Sequence, residues 1–141
     1  MPQLAPITVS DGKVTPVIHT FSPFSMDQSI GLAVWKDRSG VYPVGYPTMT
    51  AKFSQPSATQ AKGTRTYKVR VSLTLPFTTE IYSPGSTYGV PAVMYEAKAI
   101  VEFHLPEAST KIERKDLRVL LNNALAHADL QKVIDDLEGV W

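Results

Sequence analysis

Strict alternation of apolar and polar residues along three long segments limits this chain to few folds. In "TYKVRVSLTL" (Thr66–Leu75), Tyr67, Val69, Val71, Leu73 and Leu75 fall on one side, and Lys68, Arg70, Ser72 and Thr74 on the other. In "YPTMTAKFS" (Tyr46–Ser54), Met49, Ala51 and Phe53 alternate with Thr48, Thr50, Lys52 and Ser54. In "PAVMYEAKAIVEFHL" (Pro91–Leu105), Tyr95, Ala97, Ala99, Val101, Phe103 and Leu105 alternate with Glu96, Lys98, Ile100, Glu102 and His104. Successive side chains of a strand point to opposite faces, so each segment predicts a strand with one buried and one open face. Antiparallel sheets covered on one side have this pattern. "IGLAVWKD" (Ile30–Asp37) predicts a further strand, and "TVSDGKVT" a hairpin with a tight primed turn at Asp11-Gly12. Pro16 and Pro23 cannot donate to a ladder, which places the hairpin's second strand at an edge. "QPSATQAKG" (Gln55–Gly63) and "FTTEIYSPGSTYG" (Phe77–Gly89) read as loops, the second long enough to suggest a job of its own.

All 11 prolines and 7 of the 8 glycines precede position 107, so the last 35 residues are built differently. There Thr110 and Glu113 form a T-x-x-E capping box, and Leu117, Leu120, Leu121, Ala124 and Ala128 line one helical face. A second helix can start at Asp129, with Leu130, Val133, Ile134 and Leu137 on one face and Gly139 as its stop. The fold class is α+β, in one domain over 1–141: a hairpin in 1–24, a sheet in 30–105 and two helices in 110–138. The first helix is roughly 25 Å long at ~1.5 Å per residue, and the longest strand about 40 Å at ~3.3 Å per residue. Two short helices cannot cover such a sheet, so another chain or the N-terminal hairpin must cover the rest, and an obligate dimer is expected.

Composition matters here for what it excludes. With no cysteine, the chain has no disulfide, thiolate or cysteine–metal chemistry. The start "MPQLAPITVS" lacks the cationic and apolar regions of a signal peptide, and no apolar run approaches the ~20 residues of a membrane span. A soluble chain is expected. His19, His104 and His127 lack ligand spacing, so neither a metal nor any other cofactor is expected. No nucleophile or phosphate-loop motif occurs. Glu96 and Glu102 share a face but stand ~20 Å apart by strand rise, too far for a glycosidase pair. An enzyme is not expected; a hydrolase using a loop carboxylate such as Glu80 is the remote reading. Residues 1–106 carry 9 Lys/Arg against 6 Asp/Glu, and residues 107–141 carry 5 against 7. Lys52, Lys68, Arg70 and Lys98 share the polar sheet face, where they either face water or neutralise phosphates. That face lacks the aromatics of a stacking platform.

The order and spacing of several segments resemble the coat proteins of single-stranded RNA bacteriophages, the levivirus type. These segments are "GLAVW" (Gly31–Trp35), "TAKFSQPSATQ…YKVRVSLTLP" (Thr50–Pro76), "FHLPEAST" and "ERKDLRVLLNNALA" with the helix after it. The resemblance implies an N-terminal hairpin, a five-stranded antiparallel sheet and two C-terminal helices that clasp a partner's sheet. It implies a homodimer with a ten-stranded sheet, many copies closing an icosahedral shell around genomic RNA in the virion, assembled in the host bacterial cytoplasm. It also implies that one dimer binds an RNA hairpin as translational repressor of the replicase. Carried over strand by strand, the family's adenine pocket falls on Leu32, Thr50, Lys52, Lys68 and Arg70. Lys98 and Ile100 stand where some members place a stacking tyrosine and an amide, and Lys68 where a hydroxyl is common. The dimer interface would include Leu117, Leu120, Leu121, Leu130, Val133 and Ile134, and loop Phe77–Gly89 would gather around symmetry axes. The alternative function is a non-capsid cytoplasmic dimer that binds RNA with the same face.

Overall fold

The computed structural model describes residues 3–139; Met1, Pro2, Val140 and Trp141 of the expected 1–141 domain lie outside the described residues. Six strands form one antiparallel sheet in chain order: β1 (Ile7–Ser10), β2 (Ile18–Asp27), β3 (Leu32–Asp37), β4 (Thr48–Ser54), β5 (Thr66–Tyr82) and β6 (Gly89–Pro106). A turn of 3-10 helix, Pro43–Gly45, lies between β3 and β4, and α1 (Lys111–Leu125) and α2 (Ala128–Asp135) follow β6. The expected five-stranded sheet is β2–β6. β1 joins it as a sixth strand because β2 serves both the hairpin and the sheet. Residues 18–21 of β2 pair with β1, and residues 21–27 pair with β3. The hairpin's second strand is therefore not at the edge that Pro16 and Pro23 suggested: Pro16 lies in the turn, and Pro23 sits opposite Trp35 beyond the reach of the short β1.

Three connections differ from expectation. The β1–β2 hairpin turns through seven residues, 11–17, and not through a two-residue turn at Asp11-Gly12. Pro16 has no N–H to continue the ladder, and the Asp11 carboxylate closes the loop instead by accepting the Val17 N–H at 2.8 Å. The segment 77–89 is largely strand: β5 continues to Tyr82, leaving only 83–88 as a loop. A bulge makes this possible, since Phe77 pairs with Tyr95 but Thr78 with Val93, and Met94 is left over. Finally, α2 ends at Asp135 and Leu137 takes the left-handed conformation (φ 57°) that Gly139 was expected to supply.

The register puts the two predicted faces where alternation placed them. Val71 pairs with Ala51 and Val101, and Leu73 with Met49 and Ala99, so the apolar side chains of β4, β5 and β6 share one face. The N-terminal segment and the hairpin cover part of it. Trp35 Nε1 donates to the Ala5 carbonyl at 2.9 Å, and Val9 borders a groove with Phe21, Leu73, Leu75 and Phe77. A cluster of charges holds the hairpin down. His19 Nδ1 lies 2.6 Å from the buried Asp37 carboxylate on β3, and His19 Nε2 lies 3.3 Å from Asp11.

The helices are well made but stand apart. Thr110 accepts the Glu113 N–H and Glu113 accepts the Thr110 N–H, so the capping box is complete. Neither helix has a buried residue, and their main contact outside themselves is with each other. Leu117, Leu120, Leu130 and Ile134 are exposed, and Leu121 and Val133 are only half-buried. Phe21 is the sole buried hydrophobic residue among the described residues. The chain exposes 11000 Å², whereas a compact 15.5 kDa monomer exposes about 7200 Å². The protomer leaves far more surface open than a compact monomer of its size.

Candidate nucleic-acid interface

The polar face is built by β3 to β6, and cross-strand pairing orders it into rows. One row runs Leu32, Lys52, Arg70, Glu102; the next runs Val34, Thr50, Ser72, Ile100; a third runs Lys36, Thr48, Thr74, Lys98. Lys68 stands two residues from Arg70, between Ser54 and His104. Lys52, Lys68, Arg70 and Lys98 are all exposed.

The charges on this face are not self-compensated. Lys52 and Arg70 oppose each other directly on neighbouring strands, an arrangement that destabilises a sheet unless an anion answers it. Glu102 opposes Arg70 from the other side, but its carboxylate contacts His104 Nε2 at 2.9 Å. Among the described residues, no carboxylate forms a salt bridge with Lys52, Lys68, Arg70 or Lys98. Three of the four cations therefore gather at one end of the face. Lys98 does not join them; it lies roughly 13 Å along the strands at ~3.3 Å per residue, at the far end of the row that Lys36 begins and about 14 Å across the sheet from it at ~4.8 Å per strand.

The hydroxyls lie between these cationic ends. Thr50 Oγ1 and Ser72 Oγ are 2.5 Å apart, so one donates to the other and the second hydroxyl proton stays free for a ligand. Val34 and Ile100 flank the pair within its row. The result is a shallow apolar seat with one donor and several acceptors at its floor, rimmed by cations on both sides.

One further residue joins this face from β2. The β2 register shifts between Pro23 and Ser25, and the extra residue is Phe24. Lys36 Nζ sits 4.1 Å from its ring centroid. The face thus has an aromatic after all, and the signal was the one break in alternation in "FSPFSM", at Pro23-Phe24.

Other candidates separate from this surface. Glu80, the remote hydrolase candidate, accepts hydrogen bonds from the hydroxyls of Tyr42 and Tyr82 near the β5–β6 tip. The Tyr42 bond first, then that of Tyr82, holds its carboxyl below the usual range, which suits a structural anchor better than a proton shuttle. Asp11 and Asp37 approach opposite nitrogens of His19, so the three do not converge on one point. Among the described residues, no group of three His, Cys, Asp or Glu side chains is placed to hold a metal ion. Among the described residues, no helix is long and apolar enough to cross a membrane.

The chain is similar to known proteins over nearly all its length. The Levivirus coat protein model matches residues 2–141. The solved virus-like particle of bacteriophage ESE058 has a subunit 34% identical, with a TM-score of 0.89, covering 99% of this chain and 100% of that one. The bacteriophage GA capsid protein shares the fold at 18% identity, with a TM-score of 0.73 and 96% of each chain covered. No curated protein matches the chain. A capsid subunit must associate with itself, which agrees with a protomer whose helices and sheet leave so much apolar surface open. The sheet, the paired helices and the whole-length match converge on one assignment: this chain belongs to the levivirus coat protein family, as a structural component of a virion shell and not an enzyme.

Proposed function

We propose that this coat protein assembles as a homodimer whose polar sheet face packages genomic RNA and binds an RNA hairpin as a repressor of translation. β6 is an eighteen-residue strand at the open edge of the sheet. Edge-to-edge pairing of two copies would satisfy it and join strands β2–β6 of each into ten, with a short β1 at either end. The helices would then cross onto the partner's apolar face, where Leu117, Leu120, Leu121, Leu130, Val133 and Ile134 gain the cover they lack in the protomer.

The observation that carries the RNA assignment is the opposed pair Lys52 and Arg70, with Lys68 beside it and no carboxylate bonded to any of the three among the described residues. Phosphates resolve that repulsion, and a dimer doubles the set. Thr50 and Ser72, with Leu32 and Ile100 nearby, would receive a base, since hydroxyls and flat apolar seats read base edges more than phosphates. Lys98 would meet the RNA backbone away from this seat. The non-capsid alternative has no observation in its favour.

The test is a salt titration of binding to an RNA stem-loop with an unpaired adenine. Arg70→Ala should weaken binding and lower the salt slope by slightly less than about one unit for each phosphate it no longer neutralises. Thr50→Ala should leave the slope alone and reduce discrimination between loop sequences. Wild-type affinity and slope in Arg70→Ala would remove the RNA role of this face.

A further inference from the structure

We infer that Phe24, Lys36 and Arg38 form a second RNA contact, a stacking seat for one unpaired base of single-stranded RNA beside two phosphate-binding cations. The inference rests on the proposal that the polar face meets RNA, and adds a site at its β2 edge.

Regular alternation along β2 makes the seat. In regular alternation Phe21 and Pro23 point to the apolar face, opposite Asp37 and Trp35, and Phe21 is 3% exposed there. Phe24 follows Ser22 onto the polar face, and the bulge after it brings Ser25 to the same face opposite Val34. Phe24 then lies against Lys36, which pairs with Thr48 on the polar side. Its ring stays 54% exposed, a poor outcome for a phenylalanine that one more step of alternation would have buried. Arg38 Cζ lies 5.9 Å from the same ring.

Neither cation is neutralised: among the described residues, no carboxylate forms a salt bridge with Lys36 or Arg38. An aromatic face flanked by free cations is the elementary unit of single-strand recognition. The ring takes any base by stacking, and the cations hold the adjoining phosphates. The seat continues the row Lys36, Thr48, Thr74, Lys98, so a strand could run from it across the sheet. Such binding tolerates any sequence, which suits a packaged genome more than a chosen hairpin.

The experiment titrates a fluorescent, unstructured twelve-nucleotide oligoadenylate with the full chain at several salt concentrations. Phe24→Leu keeps an apolar side chain beside the Lys36 stem and removes the ring. It should weaken binding about five- to one-hundred-fold with an unchanged salt slope, and Phe24→Tyr should restore it. The double variant Lys36→Gln, Arg38→Gln should instead lower the slope by about 1.4 units, at ~0.7 per phosphate on a single strand. Wild-type affinity in Phe24→Leu while Arg70→Ala weakens binding would overturn this site and leave the proposed function standing. Wild-type affinity in both would overturn the two together. If Phe24→Leu binds RNA normally but forms no particles, the cluster is a protein contact and the inference fails.

Discussion

Leu120 is 67% exposed on α1, so replacing it with aspartate costs the isolated protomer almost nothing. In the proposed dimer the same position is covered by the partner's sheet, and the cost becomes large. An uncompensated buried charge is worth about 3–5 kcal/mol, and two-fold symmetry counts it twice, giving about 6–10 kcal/mol. At ~1.4 kcal/mol per factor of ten, the dimer dissociation constant should rise by about four to seven decades. The protomer has little with which to survive alone. It exposes 11000 Å² where about 7200 Å² is expected, and it buries one hydrophobic side chain among the described residues. Loss of the dimer should therefore appear as loss of structure. Sedimentation and circular dichroism at micromolar concentration read both quantities at once. Leu120→Met, which conserves volume and costs less than about 1.5 kcal/mol, should assemble normally. A folded Leu120→Asp variant that sediments like wild type would refute the assignment of α1 to the partner's sheet.

The His19 cluster predicts a pH window for hairpin attachment. Hydrogen bonds first to Asp37 and then to Asp11 raise the His19 pKa above 6.5, so its stabilisation is full below that pH and is lost as pH rises through the raised value. Burial pushes the Asp37 carboxyl up, but bonds from His19 and the Ser39 N–H outweigh it and leave it below 3.8; its contribution is present above 3.8 and fades as pH falls. Protection of β1 amides from hydrogen exchange, relative to their intrinsic rates, should be greatest between these limits, and His19→Gln should flatten the alkaline side; a profile unaffected by that change would contradict it. At the other end of the sheet, replacing residues 83–88 with a two-residue Asn-Gly turn should leave the dimer folded but alter or abolish particles. Normal shells in normal yield, seen by electron microscopy, would mean that the tip takes no part in contacts between dimers.

Much of the fold was legible because its strands are pleated against one covered face. Met49, Val71 and Val101 reveal their face by alternation alone, and Thr110 with Glu113 marks the start of α1. Legibility failed where a bulge or a side chain replaced regular backbone pairing. The β5–β6 extension depends on Met94 dropping out of register, and the seven-residue hairpin loop depends on Asp11 standing in for a ladder bond at Val17. Neither is a property of period two. The candidate site followed the same division. Alternation placed Lys52, Lys68, Arg70 and Lys98 on one face, but only register shows that Lys52 opposes Arg70 and that Lys98 stands apart from both. Phe24 shares the side of Ser22 by alternation, but only register shows that this side is the face that carries Lys36.

Electron microscopy of the purified protein after nuclease treatment, with nucleic acid recovered from the same particles, measures the central property directly. Closed icosahedral shells holding nuclease-protected RNA are expected. Shells that form in full yield but hold no RNA would contradict the role given to Lys52, Lys68 and Arg70, and soluble protein that never assembles would contradict the capsid role itself.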